Sequence, residues 1–385
     1  MSQFRASSRT AIDAFQAMAV LDRANAMEMN GEPVSHLEVG QPGTGAPPSA
    51  IEAVKSAVDQ QVMGYTSAFG IPSLREKLAT FYQARYGASV DPRCIAITNG
   101  SSAGFVLSFL ASFEPGARVA LTAPGYPAYR NILVALGYEP VLIEVNEATR
   151  FQPTIEMLSA LAPLDGLILA SPGNPTGTMV SPEEFATIYQ WCEGNGCRLI
   201  SDEIYHGLTW GQPETTAAGK PGHAIVINSF SKYFSMTGWR VGWLILPEDL
   251  VDAVERLAQN LFICAPAISQ IAAEGALNDL DHLDTLRDAY RAKSDIVQQA
   301  LASMGLQGSP SDGAFYAYPN ISALSNSAAD FAQRSLDEAG VAIVPGLDFD
   351  PINGNSYVRI SFAGSEETVK RGTQSLVDWV RRSFS

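Results

Sequence analysis

At 385 residues the chain is long enough for two domains, or three. Hydrophobic residues make up 46% and charged residues 17%, the balance of an ordinary globular protein with a large core. A net charge of −15 counts against nucleic acid or an anionic membrane surface as partner. No apolar run reaches the roughly 18 residues that a membrane helix needs, and no charged-then-apolar leader opens the sequence. Four cysteines (Cys94, Cys192, Cys197, Cys264) are too few for a disulfide framework. Cys192 and Cys197 have no second Cys or His cluster to complete a metal site. The expectation is a reduced, cytoplasmic protein without a metal.

In chain order, Ala, Met and Leu at helical spacing predict a helix over 8–29, ended by Gly31-Glu32-Pro33. A short strand over 36–39 and a glycine loop over 40–45 follow, then helices over 49–60 and from 72 to 82. From Cys94 onward the chain alternates. Strand-like runs at 94–98, 118–122, 140–145, 166–170, 198–201, 224–228 and 241–246 are separated by helical stretches at 103–113, 126–136, 155–162 and 182–194. Such alternation predicts an α/β fold with a mostly parallel sheet sandwiched by helices, its sites at the carboxyl ends of strands. Residues 251–304 read as helices, the last one long and bridging two domains. Residues 313–318 and 357–362 are strand-like, and 366–382 form a terminal amphipathic helix. A smaller α+β domain is therefore expected from both chain ends (1–40 with 290–385), around a large domain at 41–289.

The chain is organised around residues 228–243, between two strand-like apolar runs. From Ala224 to Pro247 the only charged residues are Lys232 and Arg240. Two cations between core strands with no acid beside them are costly unless an anion is supplied or the lysine is neutralised. A phosphate would satisfy Arg240 together with Ser229 and Ser231, since guanidinium and hydroxyl donors suit its oxygens. Imine formation would answer for Lys232, because a desolvated lysine loses its proton readily and becomes a nucleophile. Phosphate plus an imine-forming lysine suggests pyridoxal 5′-phosphate (PLP). Gly100-Ser101-Ser102, between a predicted strand and the helix after it, should add backbone N–H groups facing the anion; alone, the two serines would be a plain helix cap. Arg359 is the only cation in 352–364 and lies among apolar strand residues, a position that calls for a carboxylate partner.

These blocks, in this order, resemble the class I/II aminotransferases of PLP fold type I. The resemblance is carried by Ser-x-Ser-Lys ending at Lys232, Gly238-Trp239-Arg240-Val241-Gly242, Tyr65 before Gly70, Asn99-Gly100-Ser101-Ser102, and Pro124-Gly125-Tyr126-Pro127. Ser171-Pro172-Gly173-Asn174-Pro175-Thr176-Gly177, Asp202-Glu203-Ile204-Tyr205, Gly313-Ala314-Phe315-Tyr316 and Val358-Arg359-Ile360-Ser361-Phe362 extend it over essentially the whole chain. It implies that Lys232 is the Schiff-base lysine and the proton shuttle, and that Asp202 holds the pyridine nitrogen so that the ring acts as an electron sink. It further implies that Tyr205 and Asn174 bond the cofactor's phenolic oxygen, that Tyr126 stacks on its ring, and that Asn174–Pro175 and Ala123–Pro124 are cis. Arg359 and the Gly40 backbone should meet the substrate α-carboxylate, and the loop over 39–43 should close on it. Tyr65 should reach the phosphate in the partner subunit of a homodimer. Glu203 and His206 are expected to serve structure.

One departure stands out. Relatives often carry Pro-Gly-x-x-Phe-Gly before the arginine strand, and this chain has Pro345-Gly346-Leu347-Asp348-Phe349-Asp350. Residues 313–318 and 349–350 are expected to line the side-chain pocket. A second cation for a distal carboxylate is not placed by the sequence; Arg130 is the one candidate. The expected reaction moves an amino group between an L-amino acid and a 2-oxo acid by a ping-pong mechanism. The alternative on the same residues is a β-eliminating C–S lyase, since both begin by removing the Cα proton. A third class, a DNA-binding regulator built on this fold, finds no basic recognition helix before residue 37.

Overall fold

The computed structural model of the protein describes residues 5–60 and 62–384. Across its seven-stranded central sheet lie, in order, Ile95–Thr98, Gly242–Ile245, Ile225–Ser229, Arg198–Asp202, Gly166–Ala170, Arg118–Ala123 and Glu139–Glu144. Gly242–Ile245 is antiparallel to both neighbours and the other pairs are parallel. Every residue of Ile225–Ser229 and of Gly242–Ile245 is buried, which is why these strands carry apolar runs, 225–227 and 243–245, with no charged residue. Only the edge strand Glu139–Glu144 alternates, with Val141 and Ile143 inside and the two glutamates in water.

Local chemistry sets the ends of the covering helices. Pro182–Asn195 opens on a reciprocal capping box, with Glu184 N–H on Ser181 Oγ at 3.2 Å and Ser181 N–H on Glu184 Oε2 at 2.7 Å. Gly100–Ser112 buries Phe105, Leu107 and Phe109, each worth about 1.5–3 kcal/mol when removed from water. It packs on Ile225–Ser229 and Gly242–Ile245 through Gly104, where a Cβ would lie 3.0 Å from the Leu244 side chain.

Ser35–His36 pairs in parallel with Val341–Ala342, so the two ends of the chain meet. Beside them Val358–Ser361 is the middle strand of a second sheet, antiparallel to Val344–Pro345 and to Tyr316–Ala317. The helix Leu280–Ser303 packs on the terminal helix Glu366–Ser383. Among the described residues no helix is long and apolar enough to cross a membrane.

Three expectations are corrected. The first long helix is Gln16–Met29, not 8–29; before it lies only the 3-10 turn Ser8–Thr10, whose residues find no core to cover. The expected strand over 36–39 is Ser35–His36; Leu37 N–H still donates to the Ala342 carbonyl at 3.0 Å, and from Glu38 the chain leaves that edge to line the site. A helix absent from the sequence prediction, Ala328–Ala339, is capped by Ser327 and ends at Gly340 (φ +64°). That pair of start and stop signals could have found it.

Candidate active site

The carboxyl ends of the central strands converge on one cavity of about 270 Å³. Lys232, Arg240 and Arg359 line it, and so do Gly40, Ser101, Ser102, Tyr126, Asn174, Asp202, Tyr205 and Ser231. The parallel pairing of Ile225–Ser229 with Arg198–Asp202 sets Asp202 beside Ile227, just short of the turn that carries Ser231 and Lys232. Arg359 arrives from the other sheet.

Among the described residues the cavity wall contains two carboxylates, and both already have partners. Asp202 is buried. Its Oδ1 accepts the Ile204 N–H at 3.0 Å and its Oδ2 accepts the Tyr129 hydroxyl. Burial lifts its pKa to about 6, with the Tyr129 and Ile204 bonds pulling it back, so it is ionised at neutral pH. Glu38 accepts from His36 Nδ1 at 2.7 Å, and its backbone carbonyl accepts from Arg359 Nη2.

The cations lack such partners. Lys232 Nζ donates to the Gly40 carbonyl at 2.7 Å. Burial first, then the charges of Arg359 and Arg240, bring its pKa down to about 8 against an opposing pull from Asp202. Arg240 stands at φ +51° and donates from Nη1 to the Thr237 carbonyl at 3.0 Å. Ser229 Oγ donates to Ser231 Oγ at 2.9 Å and accepts the Ser231 N–H at 3.1 Å. Gly100 follows the strand Ile95–Thr98 at φ +73°, and a Cβ there would lie 2.5 Å from Arg240 Nη2. Its backbone is thus held directly against the guanidinium. The guanidinium of Arg359 lies between the rings of Tyr316 and Phe349, 4.6 Å from each centroid, with Nη1 donating to Asn174 Oδ1 at 3.0 Å. Its buried Nε has no partner among the described residues.

PLP fits this set. A phosphate would meet Arg240, the Ser229–Ser231 hydroxyls and the first amides of Gly100–Ser112. An aldehyde would meet a lysine already half neutral near pH 8. A ring nitrogen would meet an ionised Asp202. The excess of cation over carboxylate around one cavity is what an anionic cofactor and a carboxylate substrate would offset.

Other expected positions fall as follows. Ala123–Pro124 and Asn174–Pro175 are cis, as are Ser171–Pro172 and Ala162–Pro163. Tyr126 is half-buried, and Phe15 meets its ring edge-on at 5.7 Å. Tyr205 Oη is 2.9 Å from Tyr316 Oη. Glu203 is consumed by Ser201, Thr216 and the Ala217 N–H, and His206 by the Ser171 carbonyl. Tyr65 is 85% exposed and does not line this chain's cavity. Asp350 corrects the expected pocket: it does not line the cavity, and its Oδ1 instead accepts the N–H groups of Ile352 (2.8 Å) and Asn353 (3.0 Å) as a buried turn cap. Phe349 stacks on Arg359. Arg130 is bound to Asp13 at 3.1 Å and is not in the cavity wall. Sequence reasoning missed Tyr129, although its place one turn after Tyr126 on the same helix face was a usable signal.

The profile of the family "Aminotransferase class I and II" matches residues 32–376. A protein of Mycobacterium tuberculosis named valine–pyruvate aminotransferase is 44% identical over 383 residues, 98% of each chain. The crystal structure of an aminotransferase from Mycobacterium tuberculosis superposes with a TM-score of 0.96 at 43% identity, covering 99% of this chain and 100% of that one. Aspartate aminotransferase from Thermus thermophilus with maleate superposes at 0.92 and 29% identity, over 97% and 100% of the two chains. With a matching profile, full-length relatives and a cavity built for an anionic cofactor beside a depressed lysine, the chain belongs to the class I and II aminotransferases and is a PLP-dependent aminotransferase of fold type I.

Proposed function

We propose that the enzyme takes its amino group from an L-amino acid with an uncharged, apolar side chain, valine being the model donor, and passes it to a small 2-oxo acid such as pyruvate. One observation carries this. The three cations lining the cavity are each matched to something other than a distal carboxylate, while Phe15, Ala17, Met18, Val39 and Ile204 supply apolar wall. Arg130, the remaining candidate cation, is tied to Asp13. The relative named valine–pyruvate aminotransferase points the same way.

The roles follow from the chemistry at each position. PLP supplies an electron sink for the charge that develops at the substrate Cα. Lys232 Nζ would hold the cofactor through its aldehyde carbon and stands where it could take the substrate Cα proton; without ligands its pKa is lowered to about 8, which eases its deprotonation. Asp202, fixed by Tyr129, holds the ring nitrogen. Arg240, Ser229, Ser231 and the Gly100-Ser101-Ser102 amides hold the phosphate. Tyr126 covers the ring, and Tyr205 and Asn174 orient its phenolic oxygen. Arg359 and Gly40 receive the α-carboxylate, and stacking between Tyr316 and Phe349 keeps the Arg359 fork in one plane. We also assign a homodimer in which the exposed Tyr65 reaches the partner's cofactor phosphate, domains of 1–40 with 290–385 and 41–289, and a cytoplasmic location. Residues 1–4 lie outside the described residues.

The test is a donor panel (alanine, valine, leucine, phenylalanine, aspartate, glutamate) with pyruvate or 2-oxoglutarate as acceptor, read as kcat/KM. Valine with pyruvate should rank first or near it. A preference for aspartate or glutamate would overturn the assignment. Light scattering giving the mass of one chain would overturn the dimer.

A further inference from the structure

The helix Gln16–Met29 begins without a cap of its own. The residue before it is Phe15, which offers no side-chain acceptor. Two of the orphan N–H groups of its first turn are instead taken by one distant carboxylate: Gln16 N–H donates to Asp348 Oδ1 at 3.1 Å and Ala17 N–H to Asp348 Oδ2 at 3.2 Å. Asp348 is buried, 4% exposed. A buried carboxylate without donors would be heavily disfavoured, so the carboxylate and the helix start fix one another. A second tether lies just before it. Asp13 pairs with Arg130 at 3.1 Å, and its carbonyl accepts from Asn131 Nδ2 at 3.2 Å.

The segment that these tethers hold faces the site. Phe15, Ala17 and Met18 line the cavity, and Phe15 packs edge-on against Tyr126 at 5.7 Å. Met18 is 51% exposed, at the mouth of the cavity. A partly wet apolar side chain keeps one position only if its backbone is held. Asp348 also adjoins Phe349, whose ring lies on Arg359. One short loop therefore ties the apolar wall to the arginine proposed for the α-carboxylate, and sets the distance between the two.

We propose that Asp348 is a positioning residue for donor selection: by capping Gln16–Met29 it fixes Phe15 and Met18 at a set distance from Arg359 and so limits the side chain the cavity admits. This rests on the proposed aminotransferase site and concerns only how one wall of it is held.

The test measures kcat/KM for alanine, valine, leucine and phenylalanine on the PLP-loaded enzyme and its Asp348→Asn and Asp13→Ala variants, with PLP affinity measured alongside. Asp348→Asn keeps the shape but offers one carbonyl oxygen to two N–H groups. Asp13 has 78% of its side chain in solvent, so its removal spares the core. In Asp348→Asn the phenylalanine-to-valine ratio should shift toward the larger donor by at least about fivefold, mainly through KM; a single methylene is worth roughly 10- to 200-fold in an apolar pocket. Asp13→Ala should shift it in the same direction by less, and PLP affinity should stay within about twofold in both. A folded Asp348→Asn enzyme with the parental ratio overturns the proposal. Should Asp348→Asn not fold, Asp13→Ala decides alone, and an unchanged ratio there overturns it. The shift is measured against the parent's own ranking. A parent that prefers acidic donors would therefore sink the donor assignment above without touching this result.

Discussion

Replacing Gly100 by alanine separates backbone strain from cofactor grip. At φ +73° an added Cβ costs about 1–2 kcal/mol of stability through local crowding alone. It would also lie 2.5 Å from Arg240 Nη2 and 3.0 Å from Cζ, distances that cannot persist. The backbone of Gly100–Ser112 is locked against the sheet, whereas the guanidinium is the free end of a long side chain, so the arginine moves. A hydrogen bond to a charged group is worth about 1.5–3 kcal/mol, so losing it should weaken PLP binding roughly 10- to 100-fold. Gly137→Ala is the control: Gly137 has φ +90° with nothing within 4 Å of the added carbon, so it bears the strain without the clash. Titrating both apo variants with PLP by absorbance, alongside thermal unfolding, should show a stability loss in each and an affinity loss only in Gly100→Ala. PLP affinity within twofold of the parent in a folded Gly100→Ala protein would refute the placement of Arg240 on the phosphate.

Three other outcomes are expected. Lys232 in the apoprotein has its pKa lowered to about 8, so the neutral amine accumulates as pH rises and the rate of PLP capture should climb through pH 7–8 and level off above it; a rate still climbing toward pH 10, as for an ordinary lysine, would contradict this. Arg359→Lys keeps the charge but loses the fork, and should raise KM for every donor roughly tenfold or more with PLP affinity intact; unchanged KM values would remove Arg359 from the substrate. Asp350→Gly strips a cap from two backbone N–H groups and should cost about 1 kcal/mol of stability with donor ranking unchanged; a changed ranking would return Asp350 to the pocket.

What was legible in the sequence follows from what kind of contact holds each part. Ile225–Ser229 and Gly242–Ile245 are buried on both faces, so burial wrote their apolar runs; the end of the first marked Ser229 and Lys232, and the end of Arg198–Asp202 marked Asp202. Contacts made by single distant partners left no periodic trace. The start of Gln16–Met29 depends on Asp348, 332 positions away, and nothing near residue 16 announces it. Asp350 reads as a pocket residue because it stands where relatives often carry the glycine of Pro-Gly-x-x-Phe-Gly, yet it turns to its own backbone. Lys293, on a helix that looks solvent-facing, is buried with its amine 3.9 Å from the Tyr290 ring centroid and bonded to the Gly364 carbonyl at 2.6 Å.

The cations of the site act on one another as well as on ligands. After burial, the charges of Arg359 and then Arg240 are what lower the Lys232 pKa to about 8. Each is also a proposed anion receptor. When a phosphate offsets Arg240 and a carboxylate offsets Arg359, two of the three downward pulls weaken and the lysine becomes more basic. The amine is therefore more easily deprotonated while it waits for an aldehyde, and gains affinity for a proton when an amino acid carboxylate sits on Arg359. The Arg359 share can be isolated. Arg359→Gln removes a cation that lowers the pKa, so the pH midpoint for PLP capture by the apoprotein should move upward from about 8; Arg359→Lys keeps the charge and should leave it near the parental value. A midpoint that does not move in Arg359→Gln would mean that burial alone depresses Lys232, and the two anion sites would then be independent of the base they flank.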